Sequence, residues 1–245
     1  MIYASYREVF FMKLESINVT KKFPGKVAIE NISMTLEPGH IYALLGPNGS
    51  GKTTWMKTVA GLIKATSGEV KFNDVAVNTD SRKKIAYMST EPYFYDWMTV
   101  GDVGKYYQDF FDDFSMEKYD ELLAGMNLDK KLKIKTLSSG MMAKLKIAVT
   151  MGRNADVYML DEPLNGIDLI ARDEVMRMVL TSASEDNIMI ISSHLVEELE
   201  AVVDRAIFFQ DGHFAGMYDV EQLRVMDSIS LADKYRTVYG GVREA

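Results

Sequence analysis

Strands alternating with helices predict an α/β fold with a parallel-sheet core and an antiparallel portion at its start, and three observations carry that prediction. Short apolar runs, "HIYALLG", "KIAYMS", "VYML" and "IMIISSH", recur between stretches of helical spacing. Two segments near the start, "KLESINVTKKF" and "KVAIENISMTLEP", alternate polar and apolar residues around a "PG" break, the pattern of an antiparallel hairpin. The first apolar run leads through a glycine-rich turn directly into a helical stretch, as parallel α/β units require.

Taken in order, the elements are the hairpin over residues 13–38, a buried strand at "HIYALLG", and a helix from Lys52 to Leu62. Strands at "GEVKF" and "KIAYMS" follow, then a predominantly helical stretch from Val100 to Leu123. The second half gives a helix from Ser139 to Gly152, the strand "VYML", a helix from Ala171 to Ser184 and the strand "IMIISSH". It closes with a helix at "VEELEAVV" and a hairpin over "AIFFQDGHFAGMY". The regular pattern begins at Met12, so residues 1–11 are read as an N-terminal extension, 12–226 as the working domain and 227–245 as a C-terminal tail.

Composition narrows the function classes. With 245 residues, 47% hydrophobic and 26% charged, the chain has the makeup of a globular protein with a substantial core. Its apolar runs fall far short of the roughly 20 residues that span a bilayer, and no cleavable leader opens it, which predicts a cytoplasmic location. The absence of cysteine excludes a disulfide framework, zinc-finger modules and a thiol nucleophile. A net charge of −7 argues against nucleic acid as a partner.

The strongest motif is "GPNGSGKT", Gly46 to Thr53, which follows an apolar strand, opens a helix and satisfies G-x-x-x-x-G-K-[ST]. In such a loop Gly46, Gly49 and Gly51 let the backbone curl around phosphates. In the run Pro47-Asn48-Gly49-Ser50 through Thr54, the N–H groups that follow Pro47 lie at or near a helix N-terminus, where anions are favoured. Lys52 supplies a mobile cation, and Thr53 a hydroxyl for Mg²⁺. "VYMLDEP" ends an apolar strand in two carboxylates. There Asp161 can reach Mg²⁺ and Glu162 can activate a water, because ligands bind at strand C-termini in open α/β sheets.

"GPNGSGKT", "LSSGM", "MLDEP", "LNGID" and "SSH" stand in the order and approximate spacing of an ABC ATPase, and the resemblance runs from Lys13 to about Met226. The chain resembles the nucleotide-binding subunit of a bacterial ABC transporter, most similar to single-cassette subunits that serve exporters. The resemblance implies a P-loop cassette with a RecA-like core, an antiparallel β lobe and a helical lobe over about residues 91–152. It implies ATP and Mg²⁺ as cofactors, a second copy or a homologous ATPase subunit as partner, and a separate membrane permease that holds the subunit at the inner face of the membrane. Position by position, it implies that Phe23 stacks on adenine, that His194 bonds the γ-phosphate and positions Glu162, and that Asp168 contacts the second subunit. "LSSGM" matches the family signature L-S-G-G-Q, so Ser138, Ser139 and Gly140 are expected to face the ATP held by the opposite subunit.

Departures from the family pattern are Phe23 for the usual Tyr, Ser139 for Gly, Met141 for Gln, and Thr90 for a Gln that binds Mg²⁺. Ser139, Met141 and Thr90 leave open a second reading, an ATP-gated regulatory subunit with little turnover. Nine aromatics lie between Tyr93 and Phe114; they are either the core of the helical lobe or a docking patch for a membrane partner.

Overall fold

The first hairpin pairs β1 (Leu14–Phe23) with β2 (Lys26–Leu36) around the turn at Pro24-Gly25, as the alternation predicts. The computed structural model describes residues 12–91 and 93–240; the extension expected over residues 1–11 lies outside the described residues.

After β3 (His40–Leu45) and α1 (Lys52–Val59), the chain adds β4 (Ser67–Phe72) and β5 (Val75–Ala76), completing a four-stranded antiparallel sheet of order β2-β1-β4-β5. The short helix α2 (Thr79–Lys83) and β6 (Ile85–Met88) lead into three helices, α3 (Val100–Phe110), α4 (Met116–Gly125) and α5 (Ser139–Met151). Then come β7 (Val157–Asp161), α6 (Leu169–Leu180), β8 (Ile188–Ser193), β9 (Arg205–Gln210), β10 (His213–Asp219), α7 (Val220–Val225) and α8 (Leu231–Tyr239).

The second sheet has the order β10-β9-β3-β8-β7-β6, parallel throughout except for β10 at its edge. Every residue of β7 and β8 is buried, which is why these strands read as unbroken apolar runs rather than alternating ones. Helix α1 fills the space between the sheets with Trp55, Met56 and Val59, and Trp55 Nε1 donates to Ser16 Oγ of β1 at 3.0 Å. A second core joins the other face of the parallel sheet to α3, α4, α5 and α6 through Tyr119, Leu145, Ile147 and Val175.

Two expectations need correction. The helix expected to run to Leu62 ends at Val59, because Gly61 takes a positive φ of 68° and stops it. "VEELEAVV" forms only a single tight turn, Val196–Glu198. Its apolar spacing does face the core through Val196, Leu199 and Val203. Its glutamates, however, bond away to other helices: Glu198 pairs with Arg172 of α6, and Glu200 accepts from the first N–H of α8. Within the C-terminal tail expected over residues 227–245, the described residues include α8, which buries Leu231 and Tyr239, and Tyr239 Oη donates toward Phe209 O at 2.9 Å and Leu45 O at 3.3 Å. That hydroxyl sits under the turn that begins at Gly46.

Candidate active site

Four chain segments leave the parallel sheet at the same edge: Gly46 after β3, Ser89 after β6, Glu162 after β7 and His194 after β8. Between the first of these and the antiparallel lobe lies an open cleft of about 390 Å³ lined by Lys26, Ala28, residues 48–54, Thr90, Glu162 and Asn165. The loop at its floor depends on close backbone approach. A side chain at Gly46 would run into Phe209 O, and a Cβ at Gly51 would come within 2.6 Å of Ile29 Cγ2 and 2.8 Å of Ala28 O. Gly51 also carries a φ of 106° at the start of α1.

Lys52 is buried, and its ammonium donates to Gly46 O at 2.6 Å and Pro47 O at 3.3 Å, curling back over the loop. Burial holds its pKa below the ordinary lysine value, with Glu162 and Asp161 acting in the opposite sense. Ser50 Oγ in the same loop is buried without a hydrogen-bond partner. Unpaired buried groups of this kind are rare, and here one faces a loop with the sequence of a phosphate cradle.

The carboxylates are fixed from below. Asp161 is fully buried; Ser192 Oγ donates to its Oδ1 at 2.7 Å and Tyr87 Oη to its Oδ2 at 3.2 Å. The same serine oxygen accepts the Glu162 N–H at 2.9 Å, and Glu162 holds a φ of 49°. This left-handed turn swings the glutamate out of the strand and toward the cleft. Its Oε2 lies 2.9 Å from His194 Nδ1, while its Oε1 is buried, unbonded and 3.7 Å from Lys52 Nζ. The arrangement therefore offers a carboxylate oxygen, an ammonium and an imidazole around one point at the mouth of a helix N-terminus.

The remaining predicted residues lie around this centre. Thr53, Thr54 and Thr90 line the cleft, and Glu91 is exposed. Phe23 stands 45% exposed at the hairpin end with Lys21 Nζ 5.0 Å from its ring centroid; it does not line the cleft, but Lys26, its cross-strand neighbour, does. Ser138 caps α5 by accepting the Met141 N–H at 3.3 Å, and Ser139 is exposed beside it. Gly140 packs on the loop before α6, where a Cβ would come within 2.8 Å of Gly166 O. In that loop Asp168 caps α6 by accepting the Ala171 N–H at 3.0 Å.

Residues 29–165 match the family model described as "ABC transporter". The chain belongs to the ABC transporter ATP-binding family. Among curated relatives of this ATPase cassette, the ABC transporter ATP-binding protein YtrB of Bacillus subtilis is 28% identical, covering 86% of this chain and 73% of its own. The lantibiotic transport ATP-binding protein SrtF of Streptococcus pyogenes is 31% identical over 80% of this chain and 86% of its own. Of solved structures, an ATP-binding subunit of an ABC transporter superposes with a TM-score of 0.81 at 21% identity, covering 92% of the cassette and 98% of that chain. The dimeric cassette MJ0796 bound to ADP and phosphate gives 0.74 at 21% identity, covering 84% and 98%. At those identities the superpositions speak to fold alone.

Sequence reading missed the residues of the cassette that work through others. Lys26, Ala28 and Asn165 line the cleft, and Ser192 and Tyr87 hold Asp161. Only Ser192 and Asn165 carried a signal, as parts of "SSH" and "LNGID".

Proposed function

We propose that the cassette binds and hydrolyses ATP as a subunit of an ABC transporter, that two copies close around two ATP molecules, and that closure drives a separate membrane permease. The observation that carries this reading is the convergence of Lys52, Glu162 and His194, with Glu162 Oε1 buried and free of hydrogen bonds. An unpaired carboxylate oxygen at that point is suited to accept the proton of an attacking water, while His194 holds the other oxygen. Lys52 and the loop N–H groups of Gly46 and of Asn48 to Thr54 take the phosphates. Phe23 offers a π-face to adenine.

Mg²⁺ suits the residues here: Thr53 and Thr90 line the cleft, Asp161 is locked at the end of β7 before Glu162, and the orphaned Ser50 and Glu162 oxygens mark a site built for charged groups. Bound there, it would neutralise charge on the transferring phosphoryl group. Ser138, Ser139 and Gly140 at the start of α5 are then offered to the ATP of the second subunit, with Asp168 at the same contact. Exposed Leu169 and Ile170, next to Asp168, extend that face with apolar surface.

The aromatic run divides between the two roles open in the sequence. Phe114 is buried and Phe94, Tyr107 and Phe111 pack on the helical core, whereas Tyr93, Tyr95, Tyr106 and Phe110 are exposed around a cleft of about 300 Å³, with exposed Trp97 stacked on Tyr95 beside it. We assign the exposed group to docking of the permease's cytoplasmic helix, which would hold the cassette at the inner face of the membrane. Among the described residues no helix is long and apolar enough to cross a membrane. Export is the direction we propose, from the motif resemblance to single-cassette exporter subunits.

Glu162→Gln tests the reading. It removes the base but keeps the size of the side chain, so turnover should fall on the order of 10² to 10⁴-fold while ATP stays bound. Light scattering should then show ATP converting monomer to dimer. A variant that hydrolyses ATP at the wild-type rate overturns the assignment of the base, and one that binds ATP without dimerising overturns the two-subunit arrangement.

A further inference from the structure

The helix that begins at Ser138 carries a charge in its buried face. Lys146, two turns along α5, is 7% exposed, and its ammonium donates to Ser89 O at 2.9 Å and to Thr90 O at 2.7 Å. These carbonyls belong to the segment just after β6, and Thr90 lines the nucleotide cleft. Burial lowers the pKa of Lys146 below the ordinary lysine value, and the charge of Asp161 acts against that shift. Leu145, Ile147 and Ala148 around it are fully buried apolar residues. An apolar side chain at 146 would fill the space without the desolvation cost of an ammonium. Packing alone therefore does not account for a lysine here; the two carbonyls do.

We propose that Lys146 is a positioning residue of the ATPase, tying the signature helix to the Ser89–Thr90 segment so that the start of α5 and the Thr90 wall of the cleft move as one body. A threonine hydroxyl reaches less far than the amide of the Gln usual at this place. How near it comes to the metal side of the cleft is then set by the backbone, and Lys146 grips that backbone at two successive carbonyls. From the Ser138 cap to Lys146 the helix runs about 12 Å, a stiff lever at 1.5 Å per residue. Displacement of Ser138–Gly140 by a second subunit's ATP is thereby passed to Thr90. This inference rests on the proposed roles of Thr90 and of Ser138–Gly140.

The test compares Lys146→Met, which keeps the stem and removes the donors, with Lys146→Arg, which restores donors. Affinity for a fluorescent ATP analogue is measured with and without Mg²⁺, Trp97 emission is followed as nucleotide is added in a Trp55→Phe background, and kcat and KM are determined. Lys146→Met should leave metal-free analogue affinity unchanged and raise the Mg²⁺ midpoint by about tenfold, the size of effect seen when a ligand loses its supporting contact. It should lower kcat by about tenfold with KM nearly constant, as for a small misplacement of a reacting assembly. It should also abolish the nucleotide-dependent change in Trp97 emission, and Lys146→Arg should recover most of each loss. A wild-type Mg²⁺ midpoint and wild-type Trp97 response in Lys146→Met overturn the proposal, as does an arginine variant no better than methionine. Should Lys146→Met fail to fold, Lys146→Gln, which keeps a neutral donor, carries the same three readouts. Failure of wild-type turnover would count against the ATPase reading alone, because the Mg²⁺ midpoint and the Trp97 response judge Lys146 without hydrolysis.

Discussion

The two sides of the nucleotide cleft are constructed differently. On the sheet side, Gly46–Thr54, Asp161, Glu162 and His194 hang from the ends of adjacent parallel strands, and their partners are strand neighbours: Ser192 joins Asp161 to Glu162, and His194 meets Glu162 from the next strand. On the helical side, Thr90 is held by a lysine 56 residues away in sequence, and Gly140 rests on the loop at Gly166. The sheet side thus has its geometry set by backbone pairing. The helical side has its geometry set by a few contacts between separate segments, Lys146 on two carbonyls and Gly140 against Gly166, which suits the role proposed for it of answering to a partner.

The largest expected effect breaks the sheet side. Lys52→Ala removes the ammonium that bonds Gly46 O and Pro47 O and stands 3.7 Å from Glu162. Steady-state ATPase should fall by about 10²–10³-fold or more, the loss typical of removing one preorganised charge partner. The fold should survive, because a buried ammonium with a lowered pKa contributes little to stability. Wild-type affinity and turnover in this variant would remove the basis for the cleft as the site of hydrolysis.

A stability measurement sharpens the contrast in the two cores. Burial raises the pKa of Tyr42, Tyr119, Tyr158 and Tyr239 above the ordinary 10.0, and Tyr119 and Tyr158 belong to the core shared with the helices. Below pH 10 folded and unfolded chains both keep these protons. Above it the unfolded chain ionises first, so it binds fewer protons than the folded one and stability falls as pH rises. Each such tyrosine contributes a loss of about 1.4 kcal/mol per pH unit. Lys52 and Lys146, with lowered pKa values, act with the opposite sign up to their ordinary 10.5 and not beyond. Melting temperature should therefore drop progressively above pH 10 and most steeply past 10.5. A flat profile to pH 11 would mean that these hydroxyls are not enclosed.

What was legible in the sequence follows the same division. "GPNGSGKT" and "MLDEP" are contiguous, so the elements that position Lys52 and Glu162 could be read from local spacing. Lys146 could not, because a lysine in a helix of Met, Ala and Leu reads as a solvated position until its partners after β6 are known. The turn at Val196–Glu198 and the docking of α8 were hidden for a related reason: Glu198, Glu200 and Tyr239 find partners in α6, α8 and the strand ends, contacts with no local signature. Tyr87 resembled any strand tyrosine until its hydroxyl was seen on Asp161.

The smallest expected effect concerns the helical side alone. Thr90 lines the cleft, whereas Glu91 is exposed and spends its N–H on Ser89 Oγ at 3.2 Å. Of the two, Thr90 is the one that lines the cleft, and it is the residue we propose to meet the metal side. Thr90→Gln lengthens the side chain and should let it reach that side without the lobe movement that threonine requires. Basal turnover of the isolated cassette should then rise by about threefold to tenfold, equivalent to ~0.7–1.4 kcal/mol of bias toward the active arrangement. A permease docked at Tyr93–Trp97, as proposed, would stimulate only through its differential affinity for that arrangement, so the variant already shifted toward it should be stimulated less by the same factor. Glu91→Ala should leave both rates near wild type. Steady-state ATPase with and without the reconstituted permease decides the matter: a Thr90→Gln variant with unchanged basal rate and unchanged stimulation removes Thr90 from the coupling route, and a large loss in Glu91→Ala transfers the role to its neighbour.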